Sequence, residues 1–392
     1  MRLILGLDAL RPPLTGIGHY TRQLATALFA SGEIECMQGL LEGRLIEQAR
    51  LQSLLLPAHA VQAGSSLKSV LIRQLRAVPG AYALRQHLQQ SRCTRALPGK
   101  QRYVYHEPRS MDVCTSHLPT VITLHDLSHI RYPQLHPRER VAYLNRQLPQ
   151  SLRLAHHVIV DALATQHELI NIFGIAADKI SVIPLGVDSD FQTPRPTSES
   201  STLAAFGLLP RQYFLSVGTL EPRKNIERTL QAYAALPEQL RKDFPLVLAG
   251  GKGWKDAAIL ARSKQIKPPG RIILTGYVTQ SQLHDLYAGA AAFLYPSLYE
   301  GFGLPILEAM ACGVPVITSN VSSMPEVAGD AALLIDPTRV DEIAAAMQRV
   351  VEDPQLAAML TQRGKLRASS FTWARTAEQT LNVYRRVLAE RY

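Results

Sequence analysis

The chain has 392 residues, more than one compact core usually holds, and this length fits two α/β domains of ordinary size. Its hydrophobic content of 46% is that of a soluble globular protein, and a long apolar run such as Ala288 to Tyr295 spans eight residues, far short of the roughly 20 that cross a bilayer. The four cysteines form no CxxC pair, which argues against a disulfide framework and a zinc site, while the net charge of +10 favours phosphate-bearing substrates, anionic lipid or nucleic acid as partners.

The chain opens with the apolar run RLILGLDAL, which we interpret as a buried strand. Asp8 interrupts this run early and no small-residue cleavage site follows, so a secretory signal is not predicted and the expected location is the cytoplasm. Gly16 and Gly18 then precede a predicted helix that contains Tyr20 and Leu24. A glycine pair between a strand and a helix can cradle phosphate, and a purely structural turn is the alternative.

Residues 67–109 form a basic stretch, with nine lysines and arginines between Lys68 and Arg109 against one acid, Glu107. Apolar residues recur in it at helical spacing, namely Leu67, Val70, Leu71, Leu75 and Val78. A cationic amphipathic helix suits an anionic membrane surface, so we expect peripheral contact with the inner face of the membrane. A solvated helix packed on its own domain is the alternative. Nucleic acid fits less well, because no binding module is recognisable.

Polar residues end two further predicted strands of the first half. In RYVYHEP, His106 and Glu107 are candidates for lining an acceptor cleft. In TVITLHD, His125 follows an apolar strand, at the carboxyl edge where parallel sheets bind ligands. We expect the neighbouring Asp126 to orient the His125 imidazole or to contact the acceptor. A hydrogen-bonded structural histidine is the alternative for His125.

Both halves of the chain alternate short β-rich runs with amphipathic helical stretches. This alternation predicts an α/β fold of two doubly wound, Rossmann-like domains. The predicted boundaries give a first domain at residues 1–190, a solvated linker rich in Pro, Ser and Thr at 191–202, and a second domain at 203–372. A last amphipathic helix occupies residues 373–392.

The segment VGTLEPRKN, near the start of the second domain, contains two candidate phosphate-binding cations. A strand is predicted at residues 214–217, and Gly218 follows it. The loop carries Arg223 and Lys224 before a helix begins near Asn225. Two adjacent cations at this place can hold a diphosphate and stabilise the charge that grows on it as a leaving group. An ordinary exposed turn is the alternative.

The segment LYPSLYEGFGLPILEAMACGVPVITS carries the strongest signal. A strand is followed by the loop Glu300-Gly301-Phe302-Gly303, and a helix begins near Pro305. Glycines let a ligand approach the backbone, and a helix N-terminus offers free N–H groups to phosphate. Glu300 lies in the loop and Glu308 about one turn into the helix, although both could instead be solvated surface residues.

This segment resembles the signature of family-four glycosyltransferases of the GT-B fold, in which two glutamates separated by seven residues recur. The resemblance implies that Glu308 bonds the ribose hydroxyls and that Glu300 contacts the donor sugar, as carboxylates accept two hydroxyl groups well. It also implies a catalytic part for His125, facing the donor sugar, and for Arg223 and Lys224, which would stabilise the diphosphate. The donor-binding positions that it implies, apart from these, are Gly16, Gly18, Gly218, Val278, Gly301, Phe302, Gly303, Leu304 and Glu308.

The chain departs from the family's pattern at three positions. Thr219 stands where many members have Arg, so the EPRKN turn is expected to supply the positive charge. Leu185 replaces a usual Asn and Asp161 a usual Ser. We expect neither of these last two departures to affect donor chemistry.

The resemblance implies a retaining, metal-independent reaction in the cleft between two domains, with the acceptor on the first domain, the nucleotide on the second, and the terminal helix crossing back to the first. No DxD motif occurs in a suitable loop, so neither cofactor nor metal is predicted. The EPRKN and EGFG regions most resemble bacterial mannosyl- or rhamnosyltransferases of O-antigen or exopolysaccharide synthesis. This favours a GDP-linked mannose-type donor over a UDP-sugar, and a lipid-linked glycan acceptor. A nucleotide-sugar epimerase and a non-catalytic subunit of a polysaccharide assembly complex are the alternatives.

Overall fold

The computed structural model describes residues 1–11, 14–55, 92, 94–97, 103–111, 113, 117–195, 197 and 200–390. Most of the basic stretch 67–109, and with it most of the predicted membrane contact, lies outside the described residues. Within the described ranges, no helix combines the length and the apolar character that crossing a bilayer requires.

The first half of the chain forms a seven-stranded sheet with the order β3-β2-β1-β4-β5-β6-β7. Its strands are β1 (Arg2–Gly6), β2 (Cys36–Leu41), β3 (Arg44–Ile46), β4 (Tyr103–Glu107), β5 (Thr120–Leu124), β6 (His157–Val160) and β7 (Ile180–Val182). All neighbours pair in parallel except β2 and β3. The helices that connect them are α1 (Gly16–Ala30), α2 (Gln48–Leu55), α3 (Ser128–Arg131), α4 (Arg138–Leu154) and α5 (Leu163–Phe173).

The second half forms a six-stranded parallel sheet with the order β10-β9-β8-β11-β12-β13. Its strands are β8 (Phe214–Val217), β9 (Leu246–Ala249), β10 (Ile272–Gly276), β11 (Ala292–Tyr295), β12 (Val316–Ser319) and β13 (Ala332–Ile335). Its helices are α6 (Ser201–Ala205), α7 (Ile226–Ala235), α8 (Glu238–Asp243), α9 (Ala257–Gln265), α10 (Gln280–Gly289), α11 (Leu304–Ala311), α12 (Met324–Ala328), α13 (Val340–Glu352), α14 (Pro354–Ser369) and α15 (Trp373–Ala389).

The central strands are continuous apolar runs because helices cover both faces of each sheet. All residues of β5, β9, β11 and β12 are buried, for example. The two doubly wound α/β sheets confirm the fold class predicted from the sequence.

The strand order reverses beside β1 in the first sheet and beside β8 in the second. In doubly wound sheets the loops at such a reversal separate and leave a crevice at the carboxyl ends of the strands, where ligands bind. The loops after β8 and β11 therefore flank one crevice, and these loops carry Arg223, Lys224 and Glu300.

Helix α15 packs on α1 and against the first sheet at β4 and β6. The Tyr384 hydroxyl lies 2.6 Å from the His106 Nδ1 atom, and the backbone N–H of Val187 donates to the Phe371 carbonyl. The end of the chain is thus fastened to the first sheet.

The connection at 191–202 is less solvated than its composition suggests. Phe191 is 3% exposed, and its ring packs 5.4 Å from His284 and 5.8 Å from Tyr287. The Ser200 side chain caps α6 by accepting from the Leu203 N–H. An aromatic side chain within the connection finds an apolar surface on α10, so composition alone overstated its exposure.

Candidate active site

The two predicted cations lie in a short 3₁₀ turn, Pro222–Lys224, in the loop between β8 and α7. Arg223 Nη1 donates to Glu300 Oε2 at 2.6 Å, and Lys224 Nζ donates to Glu300 Oε1 at 2.7 Å. Lys224 also donates to the Tyr295 hydroxyl, and Arg223 to the Glu221 carboxylate, both at 2.7 Å. The cations meet Glu300 because β8 and β11 are neighbouring strands whose loops leave the sheet side by side.

Asn225 fixes the turn that presents these cations. Its backbone has φ 58°, a left-handed conformation that asparagine adopts more readily than most residues. Its side-chain amide donates to the carbonyls of Pro296 and Pro337, at 2.9 and 2.6 Å. The turn is therefore tied to the loops after β11 and β13, which holds Arg223 and Lys224 at the crevice.

The Glu300 side chain is only 8% exposed, and those of Arg223 and Lys224 are 14% and 13% exposed. Burial alone would raise the pKa of Glu300, but the charges of Arg223 and Lys224 lower that pKa to about 2. Burial lowers the pKa of Lys224, and Glu300 counteracts the effect. The result is a buried, ionised carboxylate held between two cations at the crevice.

The glycines of the loop after β11 serve different purposes. Gly303 has φ 105° and caps α11, which begins at Leu304. A side chain at Gly301 would collide with the His125 carbonyl of the first domain. The Phe302 ring is buried and packs 6.0 Å from Phe371. Gly301 is therefore the point where the loop of the second domain touches the first, directly beside the predicted site.

Glu308 lies in the second turn of α11, half-buried, and accepts a hydrogen bond from the Tyr287 hydroxyl at 2.9 Å. Burial raises the pKa of Glu308 to about 7, although the Tyr287 hydrogen bond opposes this. The Glu308 carboxylate is poorly solvated, so it has much to gain from hydroxyl donors supplied by a ligand.

The His125 imidazole is held between two acceptors of its own domain. Its Nδ1 lies 2.7 Å from Asp161 Oδ2, and its Nε2 lies 3.0 Å from the Pro108 carbonyl. Burial would lower the pKa of His125, but the Asp161 carboxylate and the two hydrogen bonds raise it. The carbonyl can only accept, so Nε2 carries a proton and the second proton is shared between Nδ1 and Asp161.

Asp161, not Asp126, orients the His125 imidazole. His125 and Asp161 follow the adjacent strands β5 and β6, so their side chains meet at one edge of the sheet. Asp126 instead accepts hydrogen bonds from the Ser128 N–H and hydroxyl, at 2.9 and 2.6 Å. Asp161, the residue that departs from the family's pattern, therefore contacts a residue that the sequence analysis assigned to the donor sugar. The distance between the two in the sequence conceals this contact, because it depends on strand pairing.

The comparisons with known proteins place these features in a family. Residues 207–367 match the model of "Glycosyl transferases group 1", and residues 73–191 match "Glycosyltransferase Family 4". Over 98% of its length the chain is 37% identical to the "O-antigen chain mannosyltransferase B" of Escherichia coli, all of which is covered. The chain belongs to this glycosyltransferase family. The predicted family and the prediction of a glycosyltransferase enzyme are confirmed.

Two further similarities differ in the share of each chain that they cover. The "Serotype-specific mannosyltransferase WbdA" of Escherichia coli is 31% identical over 69% of the chain, which spans 34% of the length of that larger protein. Sucrose-phosphate synthase of Thermosynechococcus elongatus superimposes with a TM-score of 0.70 over 100% of both chains, at 22% identity. This similarity shows the shared GT-B fold.

His106, one of the acceptor residues predicted for this glycosyltransferase, lies in the core. It is 0% exposed, and its ring nitrogens lie 2.6 Å from the Tyr384 hydroxyl and 2.8 Å from the Thr123 hydroxyl. Burial lowers the pKa of His106 to about 3. The residue fastens α15 to the first sheet, so its placement contradicts a position in the acceptor cleft.

Glu107 is also buried, at 4% exposed. Its carboxylate accepts from the Tyr105 hydroxyl and the Arg109 guanidinium, and packs on Gly6, where a side chain would collide with it. Burial raises the pKa of Glu107 to about 7. The carboxylate is therefore packed inside the first sheet beside β1, and it is not available to contact an acceptor.

The remaining glycines predicted to bind the donor differ in the space around them. A side chain at Gly18 would collide with the Ala9 carbonyl, which explains this glycine by packing. Open space surrounds Gly16, at the first residue of α1, and a ligand could approach its backbone there. Gly218 has φ 147° and lies in contact with the Lys224 side chain. Val278, the predicted donor-binding residue beyond β10, is half-buried and follows the highly exposed Tyr277.

Proposed function

We propose that this glycosyltransferase moves a mannosyl residue, or a related 6-deoxyhexose, from a GDP-linked donor to a lipid-linked glycan in bacterial surface polysaccharide synthesis. The full-length similarity to the O-antigen chain mannosyltransferase B supports the sugar and the pathway. The observation that carries the chemistry is the buried pair of cations, Arg223 and Lys224, at the strand-order reversal of the second sheet.

The donor would lie between the loops of the two domains. Its diphosphate would be held by Arg223, Lys224 and the backbone N–H groups at the start of α11, since cations and helix N-termini both favour phosphate. Its ribose hydroxyls would donate to Glu308, and its sugar would lie beside Glu300. The contact between Gly301 and the His125 segment brings first-domain groups to the same place.

The reaction would proceed with retention, on one face of the sugar. As the bond between the anomeric carbon and the diphosphate oxygen breaks, negative charge grows on that oxygen. The acceptor oxygen bonds to the anomeric carbon on the same face of the sugar, and its proton passes to the leaving diphosphate oxygen. Arg223 and Lys224 would stabilise the growing charge in a site with little water, where such charges interact strongly. These residues would do the work that a divalent metal does in other transferases.

A panel of nucleotide sugars tests this function directly. Purified protein is incubated with GDP-mannose, GDP-rhamnose or UDP-glucose, with and without a mannose-terminated oligosaccharide. We expect acceptor-dependent GDP release and an elongated glycan with the α configuration. Isomerised donor without glycan would support an epimerase, and binding without turnover would support a non-catalytic subunit.

Two variants locate the activity. Glu308→Ala should weaken donor binding, and Lys224→Ala should lower kcat by orders of magnitude. Lys242→Ala, an exposed lysine on α8, is the matched control and should leave both unchanged. Unaltered kinetics in the first two variants would contradict the assignment of the site.

We further propose that the basic stretch 67–109 attaches the protein to the inner face of the membrane, where a lipid-linked acceptor is found. The support is its sequence: cations and apolar residues at helical spacing. Sedimentation with anionic liposomes at low salt tests the idea. Equal sedimentation with neutral liposomes, or none with either, would contradict it.

A further inference from the structure

Two histidines near the site are buried and carry ring nitrogens that have no hydrogen-bond partner within the part of the chain that the structure describes. His129 lies on α3, and His136 lies between the 3₁₀ turn Pro133–Leu135 and α4; each is 4% exposed. Neither ring nitrogen of His136 has a hydrogen-bond partner among the described residues, nor does Nε2 of His129. No sequence motif pointed to either of them.

Buried ring nitrogens without hydrogen-bond partners destabilise the folded state. A buried polar group without a partner destabilises a fold by about 1–3 kcal/mol, and native proteins keep few of them. Here two occur close enough for the charge on one to affect the other, in the acceptor-side domain. Their joint retention points to a ligand that supplies the missing hydrogen bonds.

The surroundings indicate which ligand. The charges of Asp126 and Arg223, two residues near the candidate site, both act on the His136 imidazole. Burial lowers the pKa of His136 to about 4, so the ring is neutral at physiological pH. A neutral imidazole has one donor and one acceptor, which suits a hydroxyl group better than a phosphate.

A loop of the second domain packs on His136 and on the turn before it. Trp254, which follows β9, donates from its indole N–H to the Leu135 carbonyl at 2.7 Å, and Lys255 Nζ donates to the Gln134 carbonyl at 2.6 Å. The indole ring lies 5.7 Å from the His136 ring, at 33° to it, with the Arg140 guanidinium 5.3 Å from the indole. Trp254 and His136 belong to different domains, so an opening of the cleft would separate the indole from the His136 ring.

We propose that His129, His136 and Trp254 form a subsite for a sugar of the acceptor glycan. Sugar hydroxyls bond to the imidazole nitrogens, and the apolar face of the pyranose packs on the indole, which moves off His136 to admit it. Aromatic rings beside a few placed polar groups are typical of small-molecule sites. The proposal rests on the glycosyl transfer proposed above and names a site for its acceptor.

Replacement by phenylalanine separates this role from a structural one. In His136→Phe and His129→Phe the ring shape is kept and the unpaired nitrogens are removed. We expect the acceptor KM to rise about 10- to 100-fold, while the free energy of unfolding stays level or rises. The donor KM should not change. The control is His157→Phe, because His157 lies at the opposite end of β6 and bonds to the Ser181 hydroxyl.

An unchanged acceptor KM in both variants would overturn the subsite. So would an equal rise of the donor KM in them, because the histidines would then serve the donor. If the wild-type protein released nucleotide from no sugar donor at all, the proposed function itself would fail, which is a different result.

Fluorescence gives an independent measurement, because the chain has two tryptophans, Trp254 and Trp373. In Trp373→Phe, emission reports Trp254 alone. Titration with a mannose-terminated oligosaccharide should change this emission in a saturable way, and His136→Phe should shift the midpoint to higher concentration. No change at concentrations that saturate turnover would contradict the contact with Trp254.

Discussion

Replacing Glu300 by glutamine tests the buried charge network at the crevice. The pKa of Glu300 is about 2 in the folded protein, against an ordinary value of 4.5. Because the folded state lowers this pKa, the ionised carboxylate stabilises the protein above pH 4.5 by about 3 kcal/mol, at 1.36 kcal/mol per pKa unit. This stabilisation is lost as the pH falls from 4.5 towards 2. Glu300→Gln removes it and leaves Arg223 and Lys224 without their shared partner.

We therefore expect Glu300→Gln to lower the free energy of unfolding by about 3 kcal/mol at neutral pH, which corresponds to a Tm lower by about 6–12 °C for a domain of this size. Urea unfolding and calorimetry at neutral pH and near pH 3 measure the effect, which should shrink at the acidic pH. Glu378→Gln, at an exposed position of α15, is the control. A loss that is the same at both pH values, or below about 1 kcal/mol at neutral pH, would refute the reasoning.

Three other perturbations follow from the site. Glu308→Gln should stabilise the protein by about 3 kcal/mol above pH 7, because the raised pKa of Glu308 makes its ionised form costly in the fold; equal urea stability of variant and wild type at pH 8 would contradict this. Asp161→Asn should destabilise it most below about pH 6.5 and progressively less as the pH rises through the raised pKa of His125, a trend that pH-dependent calorimetry checks. Removal of divalent metals with EDTA should leave turnover unchanged, since Arg223 and Lys224 supply the charge; lost activity that Mg²⁺ or Mn²⁺ restores would show the opposite.

The elements of this fold are readable from sequence because each depends on local pattern. Buried parallel strands such as Leu246–Ala249 are continuous apolar runs, and α11 begins after a glycine and has proline in its first turn. The loop positions of Arg223 and Glu300 follow from the same strand–loop–helix pattern. The carboxyl ends of parallel strands share one edge, so the region of the site was predictable too.

The partners of these residues were not predictable, because they come from distant parts of the chain. His106 contacts Tyr384, which is 278 residues away in the sequence. This contact shows that His106 is a core residue, although the sequence predicted it to line the acceptor cleft. His125 meets Asp161 through strand pairing, and Glu300 meets both cations of the β8 loop. Strand order and side-chain burial determine such contacts, and a local sequence motif predicts neither of them.

The affinity for a nucleoside diphosphate tests the central claim most directly, namely that Arg223 and Lys224 hold the diphosphate of a sugar donor. Isothermal titration of GDP and UDP into the wild-type protein and into Lys224→Met measures it. We predict saturable binding of GDP by the wild type and an affinity at least about 10-fold weaker in the variant, as the loss of one charged hydrogen bond implies. Failure of the wild type to bind either nucleotide, or equal affinity in the two proteins, would contradict the claim.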